Sequence, residues 1–544
     1  MLIAASAACR GTSPSINRAA SAGSELRVSV RTEPRNFTRL GDAREEGTDL
    51  VALLIHAGLV RINRVTDEVE PWLAESWTRS ADGRQFTIRL RPNVQFSDGH
   101  PFTSDDVAFS FDAVYASGVG DSLKIDGKPL TVHVVDPLTV TVTFPQPFAP
   151  GMRLLDNIVM LPKHKLEAAL KNHTLDKTWG SATPPSELVG LGPFVLTTYQ
   201  PGQRMTFVRN PHYWRRDDKG TPLPYVDRVT MDVIPDESTQ LLRLQSGESD
   251  ASGSAVPAEM YASLKQAADA GKVRLYDLGP SLYPDWLAFN LKPGAFAGDA
   301  RASWIQRDEL RQAISLAVDR KAFADTVFLG AADPAFGPVS PTNKVWYWTG
   351  TPAIPHDPER AKTLLASIGI TPQHPAQFTI LVMKGRPNYE RAAAVIRDEM
   401  KKIGVTVDIA ALEGNALIQQ IFSAKYDAVY FGFSLSDTDP SINADFWPSN
   451  GGEHFWDREQ KTPATPWEAK LDDLFRRLGV ATDQAERKRI FDEMQRTFIE
   501  HQPMIYFASP RVFVASSNRV GNVTPAIVPP RLLWSPDTIT LGRR

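Results

Sequence analysis

The chain is nearly without cysteine: one thiol, at position 9, in 544 residues. A single thiol makes no internal disulfide and no multi-cysteine zinc site. Long apolar runs are also missing. The longest, LVALLIHAGLV (residues 50–60), has 11 residues and contains His56, too short to cross a bilayer as a helix. Charge shows no excess of either sign: 60 basic against 63 acidic side chains leave a net charge of -3, which carries no footprint of nucleic-acid binding. The ten histidines include no pair at i, i+4, and the nearest two, His164 and His173, lie nine apart, so the helical metalloprotease pattern is absent. No phosphate loop occurs, and VGLGPF lacks the third glycine of a dinucleotide turn. GFSLS starts a serine nucleophile elbow but ends in Ser436 where glycine is required. No motif calls for a cofactor or metal, and no repeat with a period of about 20–50 residues supports a solenoid.

What is present is a long chain with ordinary globular chemistry. At 544 residues it exceeds one ordinary core, so two or three domains or one composite body are expected. Hydrophobic residues make up 42% and charged residues 23%, and the 42 prolines and 35 glycines are scattered, which predicts many loops joining short elements. ELRVSV from Glu25 and TVTVTF over 139–144 alternate as half-buried strands, as do Phe86, Ile88 and Leu90. Thr103 then caps a helix whose first turn holds Asp105 and Asp106 and whose buried face carries Val107, Phe111, Val114 and Tyr115. Leu310, Ile314, Ala317 and Val318 share another helical face. Asp357 and Pro358 open a helix that Gly369 stops, and Tyr389, Ala393, Ile396, Met400 and Ile403 face inward on a helix ending at Gly404 before the strand VTVDI. Helix followed closely by strand is the habit of an α/β lobe.

Two segments invite functional readings. Met1–Ala8 is small and apolar and ends in Ser-Ala-Ala before Cys9, which resembles a bacterial lipoprotein cleavage box with Ser6 in place of the usual leucine. Cys9 is then the lipidation site, and the Ser-, Ala- and Gly-rich stretch to residue 24 a flexible tether. The second is YFGFSLSDTDPS (430–441), an apolar run that breaks into two acids. Asp437 and Asp439 fit poorly as a calcium loop, because Pro440, Ser441 and Ile442 follow where a further ligand and a glycine belong. They also fit poorly as a glycosidase pair, being two apart in sequence. Asp439 reads as a helix cap before Pro440. Asp437, beside Phe431, Phe433 and Trp447, reads as a partly desolvated carboxylate that needs a cation.

Read together, EPRNFTRL, GLVRIN, PWLAESWTRSADGRQFTIRLRPNVQFSDGHPFTSDDVAFSF, GLGPFVLTTYQPGQRMTFVRNPHYW, LPYVDRVTM, LQSGESD, LAFNLK, LRQAISLAVDRKAF and DPERAKTLLASIG resemble, in that order, the family 5 extracellular solute-binding proteins, the dipeptide and oligopeptide components of ATP-driven (ABC) importers. The resemblance implies an α/β, two-lobed periplasmic-binding-protein fold (type II, large cluster C form) with an extra subdomain on lobe one. Lobe one takes 25–54, 190–285 and 510–544, the extra subdomain 55–189 and lobe two 286–509, after a tether at 1–24. PSLYPDWLAFN and MIYFASPRV are the expected hinges, about which the lobes close on a ligand.

In peptide-binding relatives the loop after a Gly-Trp strand end carries an aspartate, four residues before a proline, that pairs with the peptide's amino terminus. That place here is Ser436, with Phe433 for the tryptophan and Asp437 one position late. The expected ligand-binding set is Asp437, Ser436, Phe433, Tyr283, Trp286, Asn36 and Trp447. The implied partners are a peptide or small polar solute, a membrane permease and a lipid anchor at Cys9, with no nucleic acid; a monomer in the periplasm or another extracytoplasmic space is expected. A ligand sensor or chaperone on the same fold, and a hydrolase using Asp437 and Asp439, are the alternatives.

Overall fold

The structure is a computed structural model that describes residues 24–40, 46–118, 120, 123–435 and 437–542. Cys9, with the tether before Ser24, and Ser436 lie outside the described residues.

Two mixed sheets organise the chain. Glu25–Val30 is a strand because its alternate residues Leu26, Val28 and Val30 are apolar and all three are buried. It lies inside an eight-stranded sheet, parallel to Arg228–Val233 on one side and to Ala251–Ser252 on the other. Beyond these the sheet runs out through Arg204–Arg209 and Phe194–Gln200 at one edge, and through Ala508–Ser517 and Val273–Pro280 at the other. The second sheet has five strands in the order Val405–Leu412, Ala376–Met383, Ala428–Phe431, Trp286–Phe289 and Met504–Tyr506. The parallel pairing of Ala376–Met383 with Val405–Leu412 is bridged by the helix Pro387–Lys402, whose buried Ala393, Ile396 and Met400 cover the sheet. Burying Ile396 or Met400 stabilises the lobe by about 1.5–3 kcal/mol each.

A four-stranded antiparallel sheet, Ala74–Arg79, Gln85–Leu90, Thr139–Thr143 and Thr131–Asp136, forms a smaller layer. One apolar core holds this layer to the first sheet: Ile88, Val140 and Phe144 belong to the same buried cluster as Leu26, Met205 and Met231. Helix Ser104–Ala116 begins as its residues predict, with the Asp106 carboxylate accepting from the Thr103 backbone N–H at 2.9 Å and from the Lys163 N–H at 3.0 Å. Asp357 caps Pro358–Ser367 through the Arg360 N–H at 3.0 Å, and Gly369 beyond it has φ 82°.

Two passages between the large sheets lie at 281–285 and at Phe507, where the strands Met504–Tyr506 and Ala508–Ser517 meet; the chain also returns to the first sheet at Ala332–Pro334, its eighth strand, which pairs with Ala508–Pro510. The crossings lie side by side: the Ser281 N–H donates to the Pro510 carbonyl at 2.8 Å and the Ser509 hydroxyl to the Ser281 carbonyl at 2.9 Å. These side-by-side crossings lie in the two segments expected as hinges.

The sequence block FSDGHP serves the scaffold. The Ser97 N–H donates to the Gly190 carbonyl at 2.9 Å, and the Gly190 N–H to the Ser97 hydroxyl at 3.2 Å, seating the 189–192 segment on the end of helix Glu46–Ile55. A Cβ at Gly190 would overlap the Ile55 carbonyl, a backbone atom that cannot swing away. Gly190→Ala is therefore expected to destabilise the fold by about 1–3 kcal/mol; a melting temperature equal to the parent's would contradict the close approach.

Candidate functional site: the cleft between the sheets

A cavity of about 890 Å³ opens between the two bodies, within the usual range of about 300–1,000 Å³ for small-molecule sites. Arg31 and Ser254 contribute from the first sheet's loops, Trp534 from the C-terminal segment, Tyr283 from the hinge, and Asp437 and Asn443 from the loop after strand Ala428–Phe431. Much of the charge on its wall is already paired. Arg31 meets Glu237 at 3.1 Å, Arg64 meets Asp156 at 3.1 Å, and Arg61 meets Glu70 at 2.8 Å. The Arg61 guanidinium lies between two indoles, 4.0 Å from the Trp72 centroid and 4.9 Å from that of Trp534, a stack that holds it flat against the wall. Glu453 also faces the cavity, and burial together with the Asp445 charge raises its carboxyl above the usual range.

The most heavily bonded group on the wall is Arg153, on the short helix Gly151–Leu154, which packs in the first body's core. Its Nε donates to Asp437 Oδ1 at 2.5 Å, its Nη2 to Asp67 Oδ1 at 2.6 Å and to Thr438 Oγ1 at 2.5 Å, and its Nη1 to the Asp67 carbonyl at 2.8 Å. The Thr438 hydroxyl reaches both Asp67 carboxylate oxygens at 2.8 Å. Asp67 sits in a turn with φ 65°, a conformation that a short polar side chain tolerates. Arg153 and Asp437 are each 8% exposed. Burial works against the Arg153 charge, but Asp437 and Asp67 outweigh it and hold the guanidinium above its ordinary range. Asp437 itself is pushed up by burial, against the pull of Arg153. Its loop is braced further: Tyr283 donates its hydroxyl to the Asp437 carbonyl at 2.9 Å, as does the Asn443 side chain at 2.9 Å.

Of the seven expected ligand residues, the structure brings Asp437 and Tyr283 together on the wall. The carboxylate expected to face a guest's ammonium faces Arg153 instead, because a buried acid takes the nearest strong donor. Trp286 and Trp447, expected as aromatic walls, are 2% and 1% exposed and lie in the second body's core. Trp286 stacks on Phe455 at 5.5 Å, and Trp447 meets Phe446 and Phe491 edge-on at 4.9 and 5.1 Å. Phe433 joins the same cluster, 4.9 Å from Phe455, and is not a wall residue. Large aromatics gain most from full burial, and here that gain placed them inside. Asn36 is likewise off the wall: its amide bonds the Leu40 carbonyl at 3.2 Å and its oxygen accepts from the Thr38 hydroxyl at 2.9 Å, shaping its own turn. Asp439 caps Pro440–Ile442 as expected, through the Ser441 N–H at 3.0 Å. It also accepts from Arg487 at 2.9 and 2.7 Å, a buried bidentate pair that the sequence reading missed.

Arg153 and Asp67 were missed too. The available signal was one arginine set among apolar neighbours in GMRLL, where a charge has to find a partner.

A buried acid also marks the hinge. Asp285, 9% exposed, ends the first crossing beside Arg386, Tyr389 and Tyr430. Gly432 leaves room for it, since a Cβ there would overlap Asp285 Oδ1. Burial raises its carboxyl to about 7, with Arg386 pulling the other way.

Fold and cleft together define a hinged, two-lobed binding protein whose ligand space lies between the lobes. Residues 68–455 match the family described as bacterial extracellular solute-binding proteins, family 5 Middle. The chain belongs to this family of binding proteins. It is similar to a probable ABC transporter-binding protein of Deinococcus radiodurans, 28% identical over 515 residues that cover 87% of this chain and 85% of the relative. It is also similar to a probable D,D-dipeptide-binding periplasmic protein of Escherichia coli, 27% identical over 463 residues covering 83% and 81%. Among solved structures, the ABC transporter substrate binding protein CtaP of Listeria monocytogenes superposes with a TM-score of 0.78 at 22% identity, covering 96% of this chain and 100% of that one, which shows the shared fold.

Two measurements check this placement. Trp447→Ala is expected to lower stability by about 3–5 kcal/mol, as for a core aromatic; a loss under about 1 kcal/mol would return Trp447 to the surface. For Asp285, a folded pKa near 7 against an unfolded value of about 3.9 means that the folded chain holds the proton more tightly. Its contribution to stability is full at low pH and is lost as pH rises from about 4 through about 7. Asp285→Asn removes that loss, so the variant's melting temperature should gain on the parent's steadily across this window; a constant difference from acid to neutral pH contradicts it.

Proposed function

We propose that the chain is the extracytoplasmic substrate-binding component of an ABC importer, which takes a peptide or related small polar solute into the cleft, closes about the hinge and presents it to a membrane permease. The observation that carries this reading is a cavity walled by both bodies around two adjacent chain crossings. A ligand touching both walls stabilises the closed form by its contacts with each. The dipeptide-binding relative supports peptides as the first class to test. Cys9 is proposed as the lipid attachment point of a monomer held at the membrane by its tether; among the described residues no helix is long and apolar enough to cross a membrane.

The pairings of Asp437 with Arg153 and of Asp439 with Arg487 count against the hydrolase alternative, which needs both carboxylates for acid–base work. The sensor reading keeps the same cleft and differs only in its partner.

Protein purified from its native host is expected to carry a small molecule that native mass spectrometry detects. Pools of dipeptides to pentapeptides should raise the melting temperature of the emptied protein, since a ligand at about 100 times its Kd adds about 2.7 kcal/mol to the folded state. Empty spectra together with no thermal shift from any pool would remove peptides from the reading.

A further inference from the structure

Resting on the importer reading, we infer that Arg153 is a built-in competitor for the cargo's ammonium group and, through the same bond, a latch between the two bodies. In the closed cleft its guanidinium takes Asp437, so the guest is held without a charge pair to that acid. The loop following strand Ala428–Phe431 is where the sequence led us to expect an acid offered to a free amine. What an incoming ammonium meets there is a carboxylate already balanced by a guanidinium, which does not lose its proton at any working pH. A second cation brought beside Arg153 is repelled by it.

The bonds are divided unevenly between the bodies, and this gives the arrangement a direction. Arg153 and Asp67 both belong to the first body, and two of the guanidinium's bonds go to Asp67. Asp437 and Thr438 belong to the second, on the loop that Tyr283 ties to the hinge. Opening the cleft therefore leaves Arg153 with Asp67 but strips Asp437 of its counter-charge. The open form offers a bare carboxylate, and closure withdraws it. An ammonium bound to Asp437 must be displaced before Arg153 can return, so capture of an amine at this point opposes closure. Cargo recognised by its backbone, by uncharged groups or with a blocked amine meets no such opposition. Beside the latch, the Ala149 N–H donates to the Gly479 carbonyl at 2.9 Å and Ile442 packs on the first body's core, so the same seam zips up as the latch engages.

The test compares four proteins: wild type, Arg153→Met, Asp437→Asn and the double variant. Ligand-free small-angle scattering reads the latch without any cargo. Wild type is expected to give the smallest radius of gyration and the three variants larger ones, because each removes the charge pair between Arg153 and Asp437; four identical profiles overturn the latch. Should the bare acid of Arg153→Met prevent folding, the double variant carries no bare acid and keeps the comparison. Calorimetry with a tripeptide pool and its N-acetylated counterpart reads recognition. Wild type should bind the two within about threefold, Arg153→Met should prefer the free amine by about tenfold or more, and the double variant should lose that preference. A wild type that already favours the free amine by about tenfold overturns the competitor role. Binding of neither pool by any of the four overturns peptide cargo and the competitor role with it, while the scattering comparison still decides the latch.

Discussion

An arginine that leaves water must find its counter-charge within hydrogen-bond reach, and Arg153 finds its own on both sides of a cleft. A buried ion pair is a poor source of net stability, because removing two charges from water offsets most of their attraction. Deleting one partner while the other stays buried is expensive, since it strands a charge in a dry place; the cost is about 3–5 kcal/mol. The consequence here is mechanical. Arg153, Asp67, Asp437 and Thr438 are bonded to one another across the seam, so a few side chains couple the positions of two domains.

That coupling acts beside the side-by-side crossings. The crossings at 281–285 and Phe507 are bonded to each other through Ser281, Ser509 and Pro510, and the bodies on either side are tightly packed. Hinge motions of this kind are absorbed by a few residues at such crossings. Tyr283 sits among them with its hydroxyl on the Asp437 loop, so hinge and latch share a residue. Asp285, two positions on, is a carboxyl that burial keeps close to neutral, fitted into space left by Gly432. A charged group at that spot would need water or a salt bridge, and either would loosen the crossing.

Family membership and ligand recognition are carried by different residues. The most recognisable stretch, FSDGHPFTSDDV, makes a turn, a capping box and the Ser97–Gly190 seam, and none of these residues lines the cavity. The cavity wall draws on short loops from distant parts of the chain, such as Arg31, Ser254, Asp437 and Trp534. A scaffold that assembles its site this way can exchange ligand chemistry without disturbing its core.

Local periodicity placed a subset of the elements. Alternation placed Leu26, Val28 and Val30 inside a strand, helical spacing placed Leu310 and Ile314 inside a helix, and cap residues marked where Asp357 and Asp439 begin turns. These are interactions between near neighbours, and near neighbours are what a sequence displays. The cleft was decided elsewhere. Trp286 and Trp447 are the kind of residue that lines binding sites or fills cores, and only the packing of Phe446, Phe455 and Phe491 around them settled which. The pairing of Arg153 with Asp437 joins residues 284 positions apart. No local pattern encodes such a contact, because it exists only where two bodies of the folded chain meet and exclude water.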